Sequence, residues 1–94
     1  MLKELNPLLH SELRLAIVSI LIGVAEADFT YLKEKTQATS GNISVQLDKL
    51  QKANYIELRK EFVGKRPRTT CSLTPQGKLA FEEYVEALKG YLHI

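Results

Sequence analysis

A chain of 94 residues can support one modest core and not two, so a single domain over 1–94 is expected. Apolar content of 45% and charged content of 26% exclude disordered, collagen-like and fibrous classes. The net charge of +2 names no partner, but its spread is uneven: residues 41–70 hold seven bases against three acids, and the rest is net acidic.

Asn6-Pro7 predicts a helix start, with Asn capping free amides and Pro suited to the first helical position. Leu2, Leu5, Leu8 and Leu9 make this opening segment unusually apolar, so it must pack on its own domain or on a partner chain. The same stretch carries Lys3 and Glu4 and lacks the pattern of a secretory signal, which makes the cytoplasm the expected location. From Ser11 onward, Leu13, Ala16, Ile17, Ile20, Leu21 and Val24 recur three and four apart and predict a central buried helix. The longest apolar run, Leu15 to Val24, is broken by Ser19 and Gly23 and falls short of the roughly 20 residues of a membrane span. Arg14, near the start of this helix, reads as a surface or packing residue.

Asp28-Phe29-Thr30 interrupts the pattern. Thr30 is expected to cap a short helix carrying Leu32, and Phe29 to enter the core from a brief strand. Ala38 to Gly41 form a turn whose hydroxyls can cap the next helix, about residues 40–53. On that helix Ile43, Leu47 and Leu50 fall in one narrow stripe, while Asn42, Val45, Lys49 and Lys52 lie on the far side. Two short helices joined by a tight turn make a helix-turn-helix. Asn54 then stands where a left-handed residue is needed to leave the helix.

Tyr55 to Phe62 alternates, with Ile56, Leu58 and Phe62 on one face and Glu57, Arg59 and Glu61 on the other. Thr69 to Thr74 alternates as well and places Cys71 beside Leu73. The basic stretch 63–68 is expected to join them as a hairpin loop, with Pro67 preventing both strands from extending. Cys71, the only cysteine, reads as a small buried hydrophobe rather than a redox sensor. Thr74-Pro75 starts a last helix whose apolar residues are too broadly spread for one contact. Ala80, Tyr84, Leu88 and Tyr91 can serve one neighbour, and Phe81, Val85 and Leu92 another.

These elements resemble a small stand-alone winged helix-turn-helix family of the MarR-like or ArsR-like kind: mainly α with a small antiparallel β-hairpin, an α+β fold. The resemblance rests on Phe29 and Leu32, on Gly41 to Leu50, on Gly64 to Thr69 and on Leu73 to Gly77, in that order. Gln46 departs from the usual His, and Asn54 from the usual Gly. The resemblance implies sequence-specific binding of double-stranded DNA by a transcriptional regulator.

On that reading Asn42 and Gln46 offer amides to adenine, Lys49 reaches a guanine edge or a phosphate, and Val45 touches a thymine methyl. Ser40 and Ser44 position phosphates or cap, and Lys65, Arg66 and Arg68 grip the backbone or enter the minor groove. One short helix reads few bases, so a homodimer on a palindromic operator is expected. Its seam would be built from Leu5, Leu9, Phe81, Val85, Leu88 and Leu92. The alternative is a winged-helix protein-interaction module without DNA binding. Enzyme chemistry is disfavoured: His10, His93 and Cys71 lack metal-ligand spacing and there is no phosphate-cradling glycine loop. No cofactor, metal or membrane is expected, and no effector ligand is identified.

Overall fold

The computed structural model describes residues 2–94. Four helices and three strands follow in the order α1 (Glu12–Ile22), β1 (Ala27–Asp28), α2 (Phe29–Thr36), α3 (Ser40–Lys52), β2 (Ile56–Val63), β3 (Arg66–Leu73) and α4 (Pro75–Leu92). The sheet is antiparallel with order β1-β3-β2, so the short β1 adds a third strand to the expected hairpin.

Helix α1 is the hub and packs against α2, α3, α4 and β3. Ile17, Val18 and Leu21 are buried there, and Val24, expected on the same stripe, lies past the helix end and is exposed because Gly23 has already closed it. Around α1 gather Leu32, Ile43, Leu47, Leu50, Ile56, Cys71, Ala80 and Tyr84. Each large aliphatic side chain removed from water there contributes about 1.5–3 kcal/mol.

The opening segment forms a single turn rather than a helix. Asn6 Oδ1 accepts from the amides of Leu8 and Leu9, and Ser11 then breaks the turn by starting α1. This turn drives Leu9 fully into the core, while Asn6 Nδ2 reaches the Tyr55 hydroxyl at 2.9 Å.

Asp28, not Thr30, caps α2, accepting from the Tyr31 amide at 2.7 Å, so Phe29 is the first helical residue and not part of the strand. Thr39 caps α3 through the Asn42 amide at 3.1 Å, and Asn54 leaves it with φ 63, the left-handed conformation Asn tolerates. Thr74 closes the circuit. Its hydroxyl donates to the Asn54 carbonyl and accepts from the Gly77 amide, tying the end of α3 to the start of α4.

The hairpin differs from the expected loop. Val63 pairs with Arg66, so only Gly64 and Lys65 turn the chain. Gly64 takes φ 66 while Lys65 does not, the pattern of a II′ turn with Gly first. Pro67 sits within β3 opposite Phe62, a non-hydrogen-bonded position in this register. Its missing amide would face the free edge beyond β1, so proline interrupts no ladder bond there.

Candidate nucleic-acid interface

Helix α3 meets the core through Ile43, Leu47 and Leu50, all buried. That stripe turns Gly41, Ser44, Val45, Asp48, Lys49 and Lys52 outward, all exposed, with Val45 half in solvent. Its outer surface is therefore small, polar and cationic apart from Asp48, whose charge is met by Lys52 at 2.9 Å. That carboxylate, by hydrogen bond and by charge, holds the Lys52 ammonium pKa above its ordinary value. Asp48 cancels one local positive charge and leaves Lys49 as the cation among the exposed α3 residues without an ion pair.

Gln46 is placed differently. It is half-buried and turned toward α1, where its Oε1 accepts from Arg14 Nη1 and its Nε2 donates to Asn42 Oδ1 at 2.9 Å. Arg14 Nε in turn donates to the Leu8 carbonyl. Arg14 is thus no free surface residue: it joins the opening turn, α1 and α3. A sequence signal existed in the placement of Gln46 at the margin of the Ile43, Leu47, Leu50 stripe, but nothing local pointed to Arg14.

Across from α3 stands the hairpin. Paired residues share a face, so Ile56 with Leu73, Leu58 with Cys71, Lys60 with Thr69, and Phe62 with Pro67 look toward α3. Exposure rises along that face from buried Ile56 to Phe62, which is 75% exposed, because the strands run past the end of the core. Ser44, Asp48 and Gln51 of α3 and Lys60 and Thr69 of the sheet line an open groove between helix and wing. Lys60 has no ion-pair partner among the described residues, and the alternation that put Phe62 on this face already placed Lys60 with it.

The wing cations divide. Lys65 and Arg66 are exposed and unpaired among the described residues, whereas Arg68 Nε lies 3.6 Å from Asp28 Oδ2. Arg59 is held by Glu26 at 3.0 Å and faces Glu61 at 3.7 Å. Arg66 and Arg68 share the outer face with Arg59, away from α3, so the three expected wing contacts are not equivalent.

Of the expected seam residues, Leu9 belongs to the core of its own chain and offers no area to a second copy. Phe81 and Leu88 pack partly on that core as well. Leu5 is half-buried and also packs on the core, Val85 is half-buried outside it, and Leu92 is exposed. Cys71 is fully buried, and burial, with the nearby Asp28 charge, pushes its thiol up to about 11. Among the described residues no group of three His, Cys, Asp or Glu side chains could hold a metal ion, and no helix is long and apolar enough to cross a membrane.

Comparison with known proteins agrees with this geometry. Residues 13–92 match the family described as winged helix DNA-binding domain. An uncharacterized protein of Methanocaldococcus jannaschii is 34% identical over 76 residues, 81% of this chain and 83% of that one. A transcriptional regulator homologue from Pyrococcus horikoshii has the same fold at TM-score 0.84 and 23% identity, over 92% of this chain and 85% of that one. A mutant MarR from E. coli, complexed with operator DNA, superposes at TM-score 0.73 and 19% identity, covering 88% of this chain and 58% of that one.

Proposed function

The chain belongs to the winged helix DNA-binding domain family, and from that premise we propose that it is a sequence-specific DNA-binding transcriptional regulator. The observation that carries this reading is the groove between α3 and the hairpin, lined by Ser44, Asp48 and Gln51 on the helix side and by Lys60 and Thr69 on the sheet side, with Lys49 exposed on α3 and Lys65 and Arg66 exposed at the hairpin tip. Ser44, Gln51, Lys60 and Thr69 offer donors there, and the charge of Asp48 is met by Lys52, which supports a place for a sugar-phosphate backbone. Helix α3 then lies in the major groove and the wing follows the adjacent backbone or minor groove. Ser40 and Ser44 serve phosphates, Val45 a thymine methyl and Lys49 a guanine edge or phosphate. Lys65 and Arg66, with Lys60 added, carry the electrostatic attraction, and Arg68 contributes less because Asp28 already faces it.

The proposed working form is a homodimer on a palindromic operator in the cytoplasm, without enzymatic activity, cofactor or metal. Support for pairing is the apolar surface left at the end of α4 and beside it: Leu2, Val85, Tyr91, Leu92 and Ile94 are not enclosed by the domain core. A protein-interaction module would need no unpaired cations such as Lys60, Lys65 and Arg66 on its hairpin.

Titrating a random-sequence duplex at low and at raised salt tests the reading. Binding at low salt that falls steeply as salt rises is expected. Absence of binding at low salt would return the domain to the protein-interaction class.

A further inference from the structure

We propose that Arg14, which lies outside the helix-turn-helix, sets the donor pattern that α3 presents to a base, acting through Gln46 on Asn42. This rests on the DNA-binding reading above and adds to it a positioning residue and a preferred base. Arginine has only donors. Arg14 Nη1 therefore obliges Gln46 to offer its carbonyl oxygen, and the Gln46 amide nitrogen is left to point along α3. One turn back it meets Asn42, which must answer with Oδ1, at 2.9 Å. At the end of this relay the two hydrogens on Asn42 Nδ2 are unengaged among the described residues.

Asn42 is exposed and stands in the first turn of α3, the end of a recognition helix that meets base edges. A free asparagine can rotate its amide to suit adenine, accepting from N6 while donating to N7. This one has its amide orientation fixed, with one of its oxygen's two lone pairs already taken by Gln46, so it offers donors first. Guanine, whose major-groove edge carries two acceptors, N7 and O6, is the base that fits. Gln46 is correspondingly withdrawn from base reading. The Leu8 carbonyl that holds Arg14 Nε keeps the guanidinium from swinging away, so the polarity is anchored to the opening turn.

Selection from a pool of random-sequence duplexes, at one salt concentration, compares the parent with Asn42→Ala, Gln46→Glu and Arg14→Met. Asn42→Ala identifies the position, which loses its preference; in the parent that position is guanine. Gln46→Glu still accepts from Arg14 but cannot donate, so Asn42 turns its Nδ2 inward and its oxygen out. The preference at that position then moves by about tenfold toward adenine or cytosine, whose amino groups donate. Arg14→Met leaves the position mixed. A parent preferring another base there, an Asn42→Ala protein with no altered position, or a Gln46→Glu protein that binds with unchanged preference overturns the proposal. Gln46→Glu retains the Arg14 contact and decides the matter if Arg14→Met does not fold, as judged by thermal unfolding. A parent that selects no duplex at all overturns the DNA-binding reading itself, before any variant is compared.

Discussion

The carbonyl oxygen of Tyr55 lies 2.1 Å from the point that a Cβ on Gly77 would occupy. That oxygen accepts from the Thr74 amide, and Gly77 donates to the Thr74 hydroxyl, so α4 is drawn onto the start of β2 with no room for a methyl group. Gly77→Ala must push apart two backbones, and a loss of about 3 kcal/mol or more in unfolding free energy is expected. Gly41, in the first turn of α3, has nothing within 4 Å of the same point, so Gly41→Ala should be neutral or stabilising by up to about 1 kcal/mol. Urea unfolding of both variants measures the contrast; similar stabilities would mean that the close approach is relieved elsewhere.

Salt dependence separates the wing cations. Lys60→Ala and Arg66→Ala should each flatten the slope of log affinity against log salt by roughly 0.9, one phosphate contact. Arg68→Ala should flatten it less, since its guanidinium already faces Asp28. The exposed Arg68–Asp28 pair should also cost less than about 1 kcal/mol of stability when broken. Binding of one random duplex across a salt series checks all three, and equal slopes for Arg66→Ala and Arg68→Ala would contradict the division.

Periodicity made much of this fold legible. The Ile43, Leu47, Leu50 stripe, a hydroxyl cap from the 38–41 turn, the Thr74 cap and the turn at Asn54 all follow from local chemistry and are present, while the alternation of β2 holds from Ile56 to Arg59 and fades where the strand runs past the core. What the sequence hid depends on contacts between distant residues. Leu9 reads as spare apolar surface until the Asn6 turn points it inward, and Arg14 reads as solvated until α3 brings Gln46 beside it. Pro67 reads as a strand breaker because its neighbours do not reveal that β1 stops at Asp28 and leaves that edge open. Among the interface residues, Val45 and Lys49 stand on the exposed surface that helical spacing assigns them, whereas the engagement of Gln46 required a partner 32 residues away.

The Cys71 thiol should behave as a buried apolar group. Its folded-state pKa is raised from 9.0 to about 11 by burial first and the Asp28 charge second, so it stays protonated at neutral pH. A group that holds its proton more tightly when folded contributes fully below the unfolded value. Its contribution is lost as pH rises from about 9 to about 11, at on the order of 1 kcal/mol per pH unit. Relative to Cys71→Ala, the parent should lose stability over that window. Cys71→Ser should cost about 1–3 kcal/mol for a buried hydroxyl, and peroxide should leave DNA affinity of the parent unchanged. Reversible loss of binding on oxidation, abolished in the serine variant, would assign the thiol a sensing role instead.

The proposed dimer can be tested at Val85. This residue is half-buried on α4, yet it belongs neither to the buried core nor to the apolar residues packed against that core. Farther along the same helix Leu92 is 56% exposed, and the Tyr91 hydroxyl donates to the Lys3 carbonyl, which brings the opening segment alongside. Leu2, 53% exposed, approaches Gly90 there and extends the apolar surface across two segments of the chain. A single α3 offers few base contacts, each bidentate pair giving about 1–3 kcal/mol of discrimination, whereas two copies related by a twofold axis read half-sites roughly 34 Å apart. Arginine at position 85 should place an unpaired charge in the seam at a cost of several kcal/mol while leaving the monomer folded. Sedimentation at micromolar concentration, with helicity measured in parallel, should therefore find a dimeric parent and a folded, monomeric Val85→Arg. A monomeric parent, or a folded Val85→Arg that remains dimeric, would place the seam elsewhere or remove it.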